Sequence, residues 1–329
     1  MKNGNLSIFV PHVGCPHQCA FCNQYRISST EAPPTANDVK KMCDTFLPSK
    51  DGNLEIAFFG GSFTAIDENY MVELLAAAYP FVQAGSAKGI RISTRPDCIN
   101  KHVLEILQKH GVTAIELGAQ SMDNAILKKI NRGHTTQDVI RASRLIKEYG
   151  FSLGHQMMIG LPFESNAEES AMLTAIKLAE LAPDTMRIYP AITIKDTQME
   201  AWYEGGEYKP LSIEQAVSIC SRLLQFFQEK EIAIIRVGLH ADEGLENGYV
   251  AGPYHAAFRQ LCESNLYREH FETTLAAKPY GQYTISIAKN ELSTAIGHKK
   301  SNILYFANKG YQLFFEESTI LSKGTYNIN

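Results

Sequence analysis

A chain of 329 residues, 45% hydrophobic and 20% charged, carries enough apolar side chain to bury a full core as one large domain, alone or with a small one. The formal net charge of -4 and the lack of any Lys/Arg run argue against an extensive phosphate-backbone footprint, so nucleic acid is not expected as a partner. No apolar run approaches the roughly 20 residues needed to span a bilayer, and the N-terminal stretch is too soon interrupted to serve as a secretory signal. No membrane partner and a cytoplasmic location are therefore expected, and clustered cysteines there are metal ligands sooner than disulfides.

Short apolar runs alternate with amphipathic stretches along the chain. Strands are expected at 6–13, 54–59, 89–94, 113–117, 153–159, 185–189 and 232–237, with helices near 35–47, 67–84, 100–110, 136–149, 166–181 and 212–230. Val139, Ile140, Ala142, Ser143 and Ile146 share one helical face, and Thr35 before Asp38 and Ser165 before Glu168 carry capping chemistry. Strands and helices alternating at this spacing imply βαβ units. The fold class is α/β, a partial TIM-like (β/α) barrel of six to seven parallel strands. The loops after its strands carry the chemistry. After Leu239 the pattern changes: a Gly-, Tyr- and His-containing loop region precedes an extended run at 284–288, a helix-like run at 291–308, 311–315 and a last strand-like piece. The expected division is a barrel at 1–240 and a small α+β extension at 241–329.

Cys15, Cys19 and Cys22 fall within eight residues, directly after the first expected strand. Three soft thiolates on one loop suit an iron–sulfur core, and three ligands on a four-iron cluster leave one iron open. A structural zinc site completed by His12 or His17 is the plainer alternative, although only one C-x-x-C is present and Cys43, Cys98, Cys220 and Cys262 are scattered singly.

C-x-x-x-C-x-aromatic-C after a first barrel strand resembles the signature of radical S-adenosylmethionine (SAM) enzymes. The resemblance implies a 4Fe-4S cluster and SAM as cofactors, and an electron donor such as flavodoxin or ferredoxin. It implies that Gly60, Gly61 and Ser62 (AFFGGSFT) meet the methionyl amino group. By similarity to relatives of the oxygen-independent coproporphyrinogen oxidase type, Ser93, Arg95, Gln120, Arg132 and Gln156 hold the SAM ribose and carboxylate, and Phe21 lies against the adenine. A guanidinium suits a carboxylate and an amide suits ribose hydroxyls. Surface salt bridges for the two arginines, and plain packing for Phe21, are the alternatives. Gln156 departs from the acidic residue that some relatives carry, and Met157 and Met158 read as core.

ELGAQS, NRGHT, MMIGLP, RIYPAITIKDT and GGEYKP make residues 115–210 resemble the radical SAM half of the Elongator catalytic subunit, without its acetyltransferase domain. YVAGPYHAAF and the KKSN segment are shared with shorter bacterial relatives. Among these, length and layout look similar to queuine lyase, a carbon–nitrogen lyase that cleaves the cyclopentenediol from queuine to give 7-aminomethyl-7-deazaguanine. In that family a 5′-deoxyadenosyl radical abstracts hydrogen from the substrate. A small deazapurine base would draw its contacts from His155, Tyr189, Lys195, Arg236, His240, Tyr254 and His255, each of which could equally be a structural hydrogen-bonding residue. A tRNA-modifying radical SAM enzyme and a non-catalytic zinc or iron–sulfur protein are the competing readings.

Overall fold

The computed structural model describes residues 4–11, 13, 15–28, 32–47, 53–239 and 243–329. β1 (Gly4–Val10), β2 (Leu54–Gly60), β3 (Gly89–Thr94), β4 (Val112–Gln120), β5 (Ser152–Ile159), β6 (Thr185–Pro190) and, after a two-residue strand β7 (Thr193–Ile194), β8 (Ala233–Val237) appear in chain order. All but β7 form one parallel sheet in the order β1-β2-β3-β4-β5-β6-β8. A single cavity is lined from β1 through β6, so the sheet is curled around it: a seven-stranded partial barrel, open between β1 and β8.

Every helix expected between the barrel strands is present. After the short α1 (Gln24–Ser28) come α2 (Ala36–Phe46), α3 (Glu68–Gln83), α4 (Lys101–Lys109), the short α5 (Asn124–Lys129), α6 (Thr136–Glu148), α7 (Ala167–Ala179), the short α8 (Gln198–Glu204) and α9 (Ile213–Glu229). Thr35 and Asp38 form a reciprocal capping box on α2. The cap of α7 is Asn166, one residue beyond the expected Ser165, and its side chain accepts from the Glu168 and Glu169 N–H groups.

Strand parity decides what the barrel encloses. In β5, Leu153, His155, Met157 and Ile159 face the helices and are buried there, whereas Gln156 and Met158 line the cavity. His155 belongs to the outer set. It is 1% exposed, its Nε2 pairs with Ser143 Oγ of α6 at 2.8 Å, and burial pushes its pKa down to about 3.

The C-terminal part departs most from expectation. α10 (Glu243–Gly248) and β9 (Tyr249–Ala251) are followed by the eighteen-residue α11 (Phe258–Leu275), where the sequence reads as loop. α11 packs on two sides: Phe258 and Cys262 join the barrel core with α9, while Tyr267, Phe271 and Leu275 join the core of the extension. Ser264 and Asn265 are buried between them, so no single apolar stripe marks this helix. One continuous helix thus links barrel and extension, whereas the sequence reading divides the chain at residue 240. β10 (Gly281–Ala288), α12 (Leu292–Ile296), α13 (Ser301–Asn308), β11 (Tyr311–Ser318) and β12 (Tyr326–Ile328) complete a three-stranded sheet in the order β11-β10-β12. The run expected as one helix at 291–308 breaks where Gly297, Lys299 and Lys300 take positive φ.

The folded chain keeps His155 neutral down to about pH 3, whereas in the unfolded chain it takes up a proton below about 6.5. Its contribution to stability is therefore full above pH 6.5 and lost as pH falls, by about 1.4 kcal/mol per unit. In urea unfolding at pH 7 and pH 5.5, wild type should lose stability faster than His155→Gln, which retains a partner for Ser143 but cannot titrate. Parallel pH profiles would refute this role.

Candidate active site

A cavity of about 450 Å³ opens at the C-terminal ends of the barrel strands. Cys15, Cys19 and Cys22 line it, together with Phe21, Gly60, Gly61, Ser62, Ser93, Arg95, Gln120, Arg132 and Gln156. Twelve residues singled out from sequence thus meet at one place, although they come from six separate stretches of chain.

The cysteine loop is clamped from outside. Ala20 N–H donates to Ile130 O at 2.9 Å, Met199 N–H donates to Ala20 O at 2.9 Å, and Asn131 Nδ2 donates to Gln18 O at 2.9 Å. The His17 ring packs over Gly133. Arg132, 8% exposed, donates from Nη2 to Gly118 O at 2.7 Å and from Nη1 to Cys19 Sγ at 3.3 Å. This approach needs Gly118, because a Cβ there would lie 2.6 Å from Arg132 Nη2. Gln24 Nε2 donates to Cys22 Sγ at 3.4 Å.

Burial and the neighbouring Cys19 push the Cys22 thiol up to about 12. Thiolates held this way require a cation to compensate them, and binding a metal core would release their protons. A guanidinium on one sulfur and an amide on another are partners that a sulfur-ligated cluster uses. The donor set therefore fits an iron–sulfur core. Among the described residues, no three His, Cys, Asp or Glu side chains converge as a single-ion site. His12 lies outside the described residues.

The glycine turn after β2 presents backbone to the cavity. Gly60 has φ +111°, a Cβ would meet Val10 O at 2.8 Å, and Gly61 N–H donates to that same carbonyl at 2.9 Å. Ser62 Oγ bonds Thr94 Oγ1 at 2.9 Å and accepts from Arg95 N–H at 3.2 Å. Arg95 is 2% exposed and so is not a surface residue; Nε and Nη2 grip Asp97 at 3.0 Å each. Its Nη1 and the Nε of Arg132 are buried with no partner among the described residues. Gln120 follows a register shift in β4 and takes φ +65°, a conformation costly for a non-glycine residue; its Oε1 accepts from Gln156 Nε2 at 3.4 Å.

The Radical SAM superfamily model matches residues 9–175, and the Radical_SAM C-terminal domain model matches residues 183–268. The chain belongs to the radical SAM superfamily. Radical SAM enzymes use a 4Fe-4S cluster and SAM, so these are its cofactors. The tRNA uridine(34) acetyltransferase of Methanocaldococcus jannaschii is 27% identical over 247 residues, covering 63% of this chain and 46% of that protein. Elongator complex protein 3 of Homo sapiens is 28% identical over 190 residues, covering 52% of this chain and 35% of that protein. The chain thus matches about half or less of these relatives. The structure of archaeal Methanocaldococcus infernus Elp3 lacking residues 1–46 superposes with a TM-score of 0.64 at 20% identity, over 85% of this chain and 65% of that one, which shows a shared fold.

Of the expected substrate residues that the structure describes, only Tyr189 lines this cavity. His155 lies on the outer face of the sheet. Lys195 is exposed, its N–H donating to Gly248 O at 2.8 Å. Arg236 is half-buried, its Nε donating to Gly238 O at 2.9 Å. Tyr254 packs on Tyr249, and the His255 Nδ1 accepts from Ala257 N–H while its ring meets His298 edge-on. His240 lies outside the described residues.

Sequence reasoning missed a charged belt on the inner wall. Glu116, 3% exposed, accepts from Arg187 Nε at 2.5 Å, Arg187 Nη2 at 2.9 Å and Arg91 Nη1 at 3.1 Å; Arg91 Nε also donates to Glu55 at 2.8 Å. The Arg187 guanidinium lies 5.0 Å from the Phe59 ring centroid. A signal was available: Glu116, Gly118 and Gln120 alternate on one face of β4, as Arg187 and Tyr189 do on β6, so charges inside apolar strands point into the lumen. Across the mouth, Ile27, Ile192, Ile194, Leu239 and Leu245 form an apolar cover at the β7–β9 ribbon.

Removing Arg187 strands a buried carboxylate. Arg187→Met should lower unfolding stability by about 3–5 kcal/mol, while the paired Glu116→Leu/Arg187→Met variant should recover much of that loss, as read from urea unfolding midpoints. A single variant no less stable than the pair would refute the coupling.

Proposed function

We propose that this radical SAM enzyme acts on a small, flat, hydrogen-bonding heterocycle held inside the barrel, and that the substrate is queuine, cleaved at its carbon–nitrogen bond to 7-aminomethyl-7-deazaguanine. The observation that carries the reading is the belt of Glu116, Arg187 and Tyr189 beside the rings of Phe9 and Phe59, in the same cavity as the three cysteines. A deazaguanine offers N–H and C=O edges to carboxylate, guanidinium and phenol, and a flat face to the phenylalanines. The diol would find a partner at Tyr189.

In this reading Cys15, Cys19 and Cys22 hold the cluster. Arg132 neutralises charge at Cys19. Gly60, Gly61, Ser62, Ser93, Arg95, Gln120 and Gln156 orient SAM along the strand ends, with Phe21 against its adenine. When bound, cluster and SAM together supply a carbon-centred radical by one-electron cleavage of a sulfonium bond. The Ile192–Leu245 cover keeps water and stray hydrogen donors from the reacting carbon.

A second reading, modification of a tRNA wobble uridine, draws support from the names of the relatives. The net charge of -4 weighs against it. The two separate in one anaerobic experiment with reconstituted enzyme, SAM and dithionite. Queuine should yield 5′-deoxyadenosine together with 7-aminomethyl-7-deazaguanine, and tRNA should neither bind with a steep salt dependence nor stimulate SAM cleavage. Absence of the aminomethyl-deazaguanine product would sink the queuine reading. Each of Cys15→Ala, Cys19→Ala and Cys22→Ala should lose cluster iron and SAM cleavage together; retention of full iron by any one would remove that residue from the ligand set.

A further inference from the structure

β4 does not end as an ordinary strand. The Ser121 N–H donates to Ala119 O at 2.8 Å, closing a three-residue turn around Gln120, whose φ is +65°. A γ-turn with a positive central φ is the rare and strained form, and here it is built on a residue with a full side chain. A register shift against β5 falls at the same place, between Gly118 and Gln120. Strain of this kind persists only where surrounding contacts over-determine it.

One such contact comes from the segment between α5 and α6. His134 is 4% exposed, and its Nε2 lies 3.2 Å from the same Ala119 O. A carbonyl can only accept, so Nε2 carries the hydrogen and donates. Burial and the nearby Arg132 push the His134 pKa down to about 4, which keeps the ring neutral near pH 7. The ring stands on a firm base, because Thr135 closes a reciprocal capping box with Asp138 on α6. Beyond the turn, Met122 N–H donates to Thr174 Oγ1 at 3.2 Å and fixes where the chain leaves it. Arg132 and His134 thus grip the successive carbonyls Gly118 O and Ala119 O. What the turn sets is the direction of Gln120. Ala119 packs into the core with Val139 and Ala171, while Gln120 lines the cavity and meets Gln156. Freed from the turn, Gln120 would relax to negative φ and carry its amide away from this position. His134 is not among the residues that line the cavity, so its effect on a ligand there passes through the turn.

We infer that His134 is a positioning residue for SAM binding: its Nε2–H holds the turn that aims the Gln120 amide into the cavity. The inference rests on the reading of Gln120 as a SAM contact and is independent of which substrate the enzyme takes.

The test uses anaerobically reconstituted holoenzyme, reading SAM affinity by equilibrium dialysis alongside cluster iron. Gln120→Ala should weaken SAM binding by about tenfold and His134→Leu by about threefold or more, with iron content unchanged in both. The His134→Leu/Gln120→Ala pair should bind no more weakly than Gln120→Ala alone, because His134 acts only through that side chain. His134→Gln, whose amide can donate to the same carbonyl, should stay within about twofold of wild type. In urea unfolding, His134→Leu should cost less stability when Gln120→Gly is also present, since glycine takes positive φ without strain. Unchanged SAM affinity in His134→Leu overturns the inference, as do additive losses in the pair or an equal stability loss in both backgrounds. Affinity left intact by Gln120→Ala overturns the reading of Gln120, and the inference with it. A wild type that binds no SAM overturns the assignment of the whole cavity.

Discussion

The grip of Arg132 ties this structure together. Its guanidinium reaches from Gly118 O at the end of β4 to Cys19 Sγ on the loop after β1, joining the barrel wall to the cysteine loop. The neighbouring backbone does the same, with Ile130 O and Asn131 Nδ2 holding Ala20 and Gln18. Ala20 and Phe21 pack into an apolar cluster with Ile126, Ile130 and Met199, and directional hydrogen bonds from a segment more than a hundred residues away in sequence fix the loop beside it. Everything that depends on the position of the sulfurs therefore depends on β4 and the turn after it.

The same strand supplies the second constraint. Glu116 stands one turn of the pleat below Gly118, enclosed by Arg187, Arg91 and Ser93. Burying a carboxylate alone would be prohibitive, and two guanidiniums with near-ideal geometry make it tolerable. Such a network contributes less to net stability than to definition: it fixes the rotamers of side chains on three strands and holds Arg187 over Phe59. The floor of the cavity is thereby rigid and polar, while its cover at the β7–β9 ribbon is apolar. A site polar below and apolar above suits a substrate that must be oriented by its edges while its reacting carbon is kept dry.

The cysteine spacing, the order of strands and the residues at the strand ends were legible because each depends on local chemistry or on short-range periodicity. The residues that share the cavity with the three cysteines could be named one by one. The rest of the cavity wall could not, since His155 and Gln156 are neighbours in sequence and only the pleat sends one to α6 and the other into the cavity. Glu116 and Arg187 were hidden for the opposite reason: a charge within an apolar strand has meaning only once its partners on other strands are in view. α11 escaped because burial on two faces erases the one-sided pattern by which helices are recognised.

The sequence by itself therefore determined the family, the cysteine motif and the parallel α/β architecture, since cysteine spacing and alternating hydrophobic periods are properties of contiguous residues. Tertiary structure alone decided which side chains share the lumen, how Glu116 is neutralised, and where α11 hands the barrel core on to the extension. Those outcomes arise from strand parity, register and pairing between segments distant in the chain, and no local pattern encodes them.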